Sequence, residues 1–295
     1  MSAAASADAS TGSGSAPVSA TGSARRRVPV TLLVSAVPLA VITVFVLFAG
    51  LLAPDATEQD VLTGVVGPGE AGHLFGTDQL GRDIAQLAIA GARSAVVGPI
   101  VVALGSMLIG VVLGTLAGYV GGGLDLLLSK YADLLLALPS TLVALVVAGL
   151  VDGGYWVTVL VLVVLFSPTD IRMVRGAVIS QSTRPYIESA RVLGLGRMRI
   201  MFRHILPNIA PVALTTMLLN VAFALVAMSA LSFLGLGVGP GVPDWGRQLS
   251  DGRDLLTQNW GAVMVPGVLI IVTATCINLL GDWLQERAER QAVQR

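Results

Sequence analysis

The chain has 295 residues, 54% hydrophobic and 12% charged, and its eighteen acidic residues balance its eighteen basic ones. A soluble domain carries about 25% charged residues, so half that fraction with a mean hydropathy of +0.81 describes a chain solvated by lipid, and zero net charge gives nucleic acid no field to follow. The single cysteine, Cys276, excludes an internal disulfide, and His73 and His204 are too far apart in sequence to suggest a metal-ligand cluster.

Residues 1–28 are mostly Ala, Ser, Gly and Thr, which cannot bury enough apolar surface to offset chain entropy, so they read as a disordered N-terminal tail. Arg25, Arg26 and Arg27 then precede an apolar run over 30–53. A signal-peptide core is only about 7–15 residues long. This longer run, closed by Pro54, reads as a retained membrane helix. Five further runs reach the roughly 20 residues that a spanning helix needs: 94–119, 131–151, 155–174, 209–235 and 262–284. Pro99, Pro139, Pro168, Pro211 and Pro266 fall inside these runs, which membrane helices tolerate. Gly105, Gly110, Gly114 and Gly118 suit a close helix contact.

The expected fold is an all-α membrane protein with six transmembrane helices. Its parts are the tail 1–28, a first helix with an extracytoplasmic segment (29–90), a five-helix core (91–285) and an inner tail (286–295). With the N-terminus inside, the inner segments hold fourteen basic residues and the outer ones four, Arg82, Arg93, Arg247 and Arg253. That bias predicts both termini on the cytoplasmic side.

The inner segment 176–208 is the most informative. Pro185 suits the first turn of a helix, with Ile187, Ala190 and Leu193 on its apolar side. Gly194 and Gly196 break it. Met198, Met201, Phe202 and Ile205 then follow at the spacing of one helical face, up to Pro207. Two short amphipathic helices joined by a glycine elbow can lie passively in the interface or dock into a groove on a partner.

Within this segment, Glu188-Ser189-Ala190, then Gly194, then Leu206-Pro207 resembles the Glu-Ala-Ala loop of ABC importer permeases, with Ser189 in place of the usual Ala. The stretch YIESARVLGLGRMRIMFRHILPN looks like the version in the peptide/nickel permease family. Three more blocks agree: HLFGTDQLGRDIAQLAIAGAR (73–93) resembles the signature before the second span of that family's C-type subunit, AGYVGGGLD (117–125) its first inner loop, and LSFLGLGVGPGVPDWGRQLSDGR (231–253) its last outer loop. Together they cover about 30–285. Thr169-Asp170 departs from the apolar or aromatic residues usual there.

The resemblance implies a type I ABC importer permease in a bacterial inner membrane. It implies a homologous sister permease, two ATPase domains that carry ATP and Mg, and an extracytoplasmic substrate-binding protein. The cargo would be di- or oligopeptides, with nickel or another small solute as the alternative. It assigns the ATPase-coupling role to Glu188, Ser189, Ala190, Arg191, Gly194, Met198, Phe202, Leu206 and Pro207. A phosphate-binding loop needs G-x-x-x-x-G-K-[ST]. Lys130, the only lysine, follows Ser129, so hydrolysis is expected on another chain and no catalytic residue is assigned.

Other polar residues keep two readings each. Asp78, Arg82, Asp83, Asp244 and Trp245 suit contact with the binding protein, but Asp78 also suits the cap of a helix through Leu80, Ile84 and Leu87, and Trp245 and Trp260 suit interfacial anchors. Asp170 suits an ion pair with Arg172 or Arg175, and Asp133 one with Lys130. Glu188 suits a pair with Arg184 or Arg191. Thr215, Asn220, Ser229 and Ser232 suit a translocation path or a role in holding helices together.

Overall fold

The structure, a computed structural model, describes residues 30–151 and 153–293. The tail reading for 1–28, with Arg25, Arg26 and Arg27, lies outside the described residues. Backbone groups in lipid must find partners within the chain, which restricts spanning segments to helices or closed barrels. The described residues form helices joined by loops, with one isolated bridge between Thr77 and Asp83.

Helix α1 (Val30–Leu52) contains Pro38 and is broken at Phe48. It packs on two later helices but turns Leu47, Leu51 and other large apolar side chains outward, as a lipid-facing strut does. Helix α2 (Ile84–Val120) starts ten residues before the expected second span because Asp83 caps it, its Oδ1 accepting from the Gln86 N–H at 2.9 Å. The cap expected at Asp78 is corrected: its Oδ1 accepts from the N–H groups of Leu80 and Arg82, and its Oδ2 from Arg82 Nε at 2.7 Å, closing a loop outside the helix.

The expected third span, 131–151, is not one helix. It divides into α3 (Gly122–Leu136) and α4 (Ser140–Leu150), bent by 82°. Pro139 lacks an N–H and disfavours helical backbone before it, so the chain turns there. At about 22 Å and 17 Å neither piece spans the roughly 30 Å of hydrocarbon alone. Five other helical stretches are long and apolar enough to cross, and the bent pair counted as one makes six.

Helix α5 (Gly154–Ser182) is followed by α6 (Pro185–Val192) and α7 (Arg197–Ile200). A π-turn at Met201–Ile205 joins α7 to α8 (Leu206–Phe233). An outer helix α9 (Trp245–Gly252) precedes α10 (Gly261–Val293), which runs past the expected sixth span into the 286–295 tail.

The tightest seam is α2 against α5. A Cβ on Gly110 would stand 2.5 Å from Asp170 Cβ, one on Gly114 2.7 Å from the Ile171 carbonyl, and one on Gly118 2.8 Å from the Arg175 carbonyl. The glycine spacing expected to serve helix contact does so here. Lipid is as apolar as leucine, so membrane helices associate through such close packing. On either side lie two apolar clusters, an inner one around Val174, Val178, Ile205 and Ile209 and an outer one around Leu162, Leu165 and Met228.

Gly110→Val therefore separates α2 from α5 and lowers stability by about 1–3 kcal/mol. Gly176→Ala, at a helical glycine with open space around it, leaves stability unchanged or slightly raised. Thermal unfolding of both variants in detergent checks this. Equal stability of the two would contradict the seam.

Candidate functional site

The inner loop is built against the ends of α2, α5 and α8. Arg184 is extended, Pro185 opens α6, and the backbone turns without strain. The Tyr186 hydroxyl donates to Gln181 Oε1 at 3.0 Å and accepts from Asn208 Nδ2 at 3.3 Å, bridging the end of α5 to the start of α8. Ile187 and Ala190 are buried in the inner apolar cluster, whereas Glu188 and Ser189 face outward. Ser189 satisfies its hydroxyl on the Pro185 carbonyl at 3.1 Å. Glu188 forms no ion pair with Arg184 or Arg191 among the described residues, and Arg191 lies over the Tyr119 ring instead, 5.6 Å from its centroid.

The elbow is a Schellman turn. The Leu195 N–H reaches the Ala190 carbonyl at 3.2 Å and the Gly194 N–H reaches that of Arg191 at 3.0 Å. Gly194 has φ +75° and no atom near its missing Cβ, so backbone conformation and not space requires glycine here.

The second short helix departs from the simple helical reading. Leu206 N–H bonds to the Met201 carbonyl five residues back, which widens the turn beneath Pro207. Pro207 consequently does not end the helix, and Arg197–Phe233 is continuous. The widened turn also changes the face. Ile200, Met201 and Ile205 point into the bundle, while Met198 and Phe202 are 63% and 57% exposed. With Val192 and Leu193 they form an exposed apolar tip beside Arg184, Arg197, Arg199 and Arg203. Behind the tip lies a recess of about 440 Å³ lined by Tyr119, Arg191, Leu195 and Arg197.

Two ion pairs tie this end of α5 to α3. Arg175 binds Asp125 in a bidentate pair, its Nε donating to Oδ1 and its Nη2 to Oδ2, and Arg172 binds Asp133. The pairings expected from sequence proximity are corrected. Asp170 has neither arginine, and Asp133 takes Arg172 and not Lys130, because partners across the α3–α5 contact lie closer than neighbours along one helix. Asp170 is instead buried, its Oδ1 accepting from Asn220 Nδ2 at 2.8 Å.

On the outer side, Trp245 is fully buried, and its indole N–H donates to the Ala88 carbonyl at 2.8 Å. Gln248 Nε2 donates to the Leu87 carbonyl at 2.7 Å and Ser94 Oγ to that of Pro243 at 2.7 Å, so α9 is clamped on α2. Asp244 caps α9. Burial pushes its carboxyl up, opposed by the Arg247 N–H and the Ser232 and Ser94 hydroxyls.

Asp78, Arg82, Asp244 and Trp245 were expected at a partner surface and are corrected: all four are buried and spent on internal bonds. Asp83 caps α2 and accepts from His73 Nδ1 at 2.6 Å. Of the two tryptophans expected as interfacial anchors, Trp260 is exposed and Trp245 is not. Polar residues that do face outward include Gln79, Arg253 and Asp254, around a recess of about 400 Å³. Gln79 and Asp254 carry no distinguishing pattern as isolated polar loop residues, and Arg253 entered the sequence reading only through the charge bias.

Thr215, Asn220, Ser229 and Ser232 are likewise buried inside the chain's own bundle. Thr215 bonds the Pro211 carbonyl at 3.0 Å. Asn220, bonded to Asp170 of α5, fits the helix-holding reading, whereas the Thr215 bond stays within α8.

The profile of the binding-protein-dependent transport system inner membrane components matches residues 110–292, which include the inner loop and its supporting helices. The chain belongs to that family. Among its relatives are the di/tripeptide transport system permease DppC of Pseudomonas aeruginosa, 35% identical over 74% of this chain and 72% of that protein, and the dipeptide transport system permease DppC of Haemophilus influenzae, 32% identical over 86% and 88%. The glutathione transport system permease GsiD of Pectobacterium atrosepticum is 36% identical over 75% and 73%. The protein is an inner-membrane permease of an ABC importer, a transport component of type I architecture that works with a binding protein and an ATPase.

Proposed function

We propose that this permease forms one half of a heterodimeric channel that carries short peptides inward, with 176–208 receiving the force of ATP hydrolysis from separate ATPase domains. The observation that carries this reading is the two-sided inner loop. One side is anchored in the bundle by Ile187, Ala190, Ile200 and Ile205, and the other shows Val192, Leu193, Met198 and Phe202 among arginines. Apolar residues gathered at an aqueous surface mark a contact site. A short helix pair with such a tip fits a groove on a soluble partner.

The two DppC relatives named for di/tripeptides and dipeptides and the GsiD relative named for glutathione support a cargo of two or three residues. Lys130 lacks the glycine-rich frame of a phosphate-binding loop. ATP and Mg are therefore placed on the partner subunits, and this chain needs no cofactor of its own. ATP can shift only states that it binds differently. A loop rigidly seated on α5 and α8 passes that difference to the spans, which alternate between inward-open and outward-open forms.

The arginine bias supports both termini inside. In a Cys276→Ser background, single cysteines at positions 62 and 253 should react with a membrane-impermeant reagent in intact cells, and one at 197 only after the membrane is opened. Labelling of 197 in intact cells reverses the orientation.

The loop itself is tested by Gly194→Val and Glu188→Lys. The first makes a β-branched residue adopt φ +75° at a site with open space, so it disturbs the elbow without crowding the bundle. The second adds a cation to an already basic surface. Both should insert and join the sister permease, with uptake falling about tenfold or more and ATPase subunits lost or hydrolysis uncoupled. Uptake and hydrolysis measured together in vesicles, with subunit content checked, decide it. Normal coupled transport by both variants removes the coupling role.

A further inference from the structure

Among the described residues one hydrogen bond joins α5 directly to α8, from Asn220 Nδ2 to Asp170 Oδ1 at 2.8 Å. Asp170 is fully buried and Asn220 nearly so. Ser106 of α2, itself fully buried, stands beside the same carboxyl. Gly110 provides the space, since a side chain there would collide with Asp170 Cβ. Neither nearby arginine competes for Asp170, because Arg172 is held by Asp133 and Arg175 by Asp125.

The bond lies between the two apolar clusters. The inner one holds Val174 and Ala213, and the outer one Leu165 and Ala224. Apolar contacts are non-directional, and two helices held by them alone can slide along each other. A buried hydrogen bond has one register, and leaving its groups unpaired in a low-dielectric interior is costly. The placement matters because α5 runs into α6, whereas α7 runs unbroken into α8. The inner loop therefore hangs from two different spans.

We infer that Asp170 and Asn220 are positioning residues for transport: their bond fixes α5 against α8, so that a displacement of the inner loop moves both spans as one body. The bond acts through the helices and touches no substrate. The inference rests on the reading of the loop as the ATPase contact.

The test uses the complete reconstituted transporter and reads peptide taken up per ATP hydrolysed. Asp170→Asn keeps an acceptor oxygen for Asn220, and the exchange Asp170→Asn with Asn220→Asp rebuilds the pair in reverse. Both should transport with a near wild-type ratio. Asp170→Leu and Asn220→Leu remove the bond while filling the space. Each should lower the ratio about tenfold, with hydrolysis continuing and the ATPase subunits still bound. A normal ratio in both leucine variants overturns the inference, as does a loss of uptake that only follows the amount of folded complex. If Asp170→Asn behaves like Asp170→Leu, the carboxyl and not the bond is required, and the inference also fails. Failure of the underlying loop reading shows separately, as normal coupled transport by both Gly194→Val and Glu188→Lys.

Discussion

The glycine seam between α2 and α5 is the contact on which the rest of this permease depends. Without a hydrophobic force between helices in lipid, backbones must approach closely to hold together. Gly110, Gly114 and Gly118 allow α5 to lie directly on α2. That approach places Asp170 in reach of Asn220 and brings Arg172 and Arg175 to the acidic residues of α3. It also aims the end of α5 so that α6 folds back with Ile187 and Ala190 in the inner cluster. The position of the inner loop is thus a consequence of packing deep in the bundle.

The two ends of the molecule treat their polar residues differently. On the outer side, the Asp83 and Asp244 carboxylates, the Gln248 amide N–H and the Trp245 indole are consumed internally, capping α2 and α9 and clamping α9 on α2. On the inner side the internal bonds stop short of the tip, where Glu188, Met198, Phe202 and several arginines stand free of the bundle. A surface with its own groups satisfied is a platform, and one with apolar and charged groups left over is suited to a partner.

Much of this was legible in the residues. The apolar runs marked the crossings, the spaced glycines marked the seam, and Pro185 and Gly194 marked the start and end of α6, because each acts through local backbone physics. What was hidden depends on tertiary context. Pro139 reads as tolerable within an apolar run, yet it divides α3 from α4 by 82°. The π-turn at Met201–Ile205 rotates Met198 and Phe202 outward, which a uniform helical period cannot foresee. Asp170 beside Arg172 invited a local pair, but helix packing supplied partners from α3 and α8. Trp245 looked like an anchor because sequence cannot tell an exposed loop tryptophan from one seated on Ala88.

On this reading α5, the inner loop and α8 form one rigid lever. It is tested most directly by distances between spin labels at positions 179, 193 and 212 in the reconstituted transporter, in a Cys276→Ser background, compared with and without ATP. The exposed side chains of Ile179, Leu193 and Val212 make these positions accessible to labels. The three intrachain distances should stay the same in both states while the transporter remains active. A displacement of position 193 relative to 179 or 212 on ATP binding would show a loop that flexes on its own, and would contradict the lever.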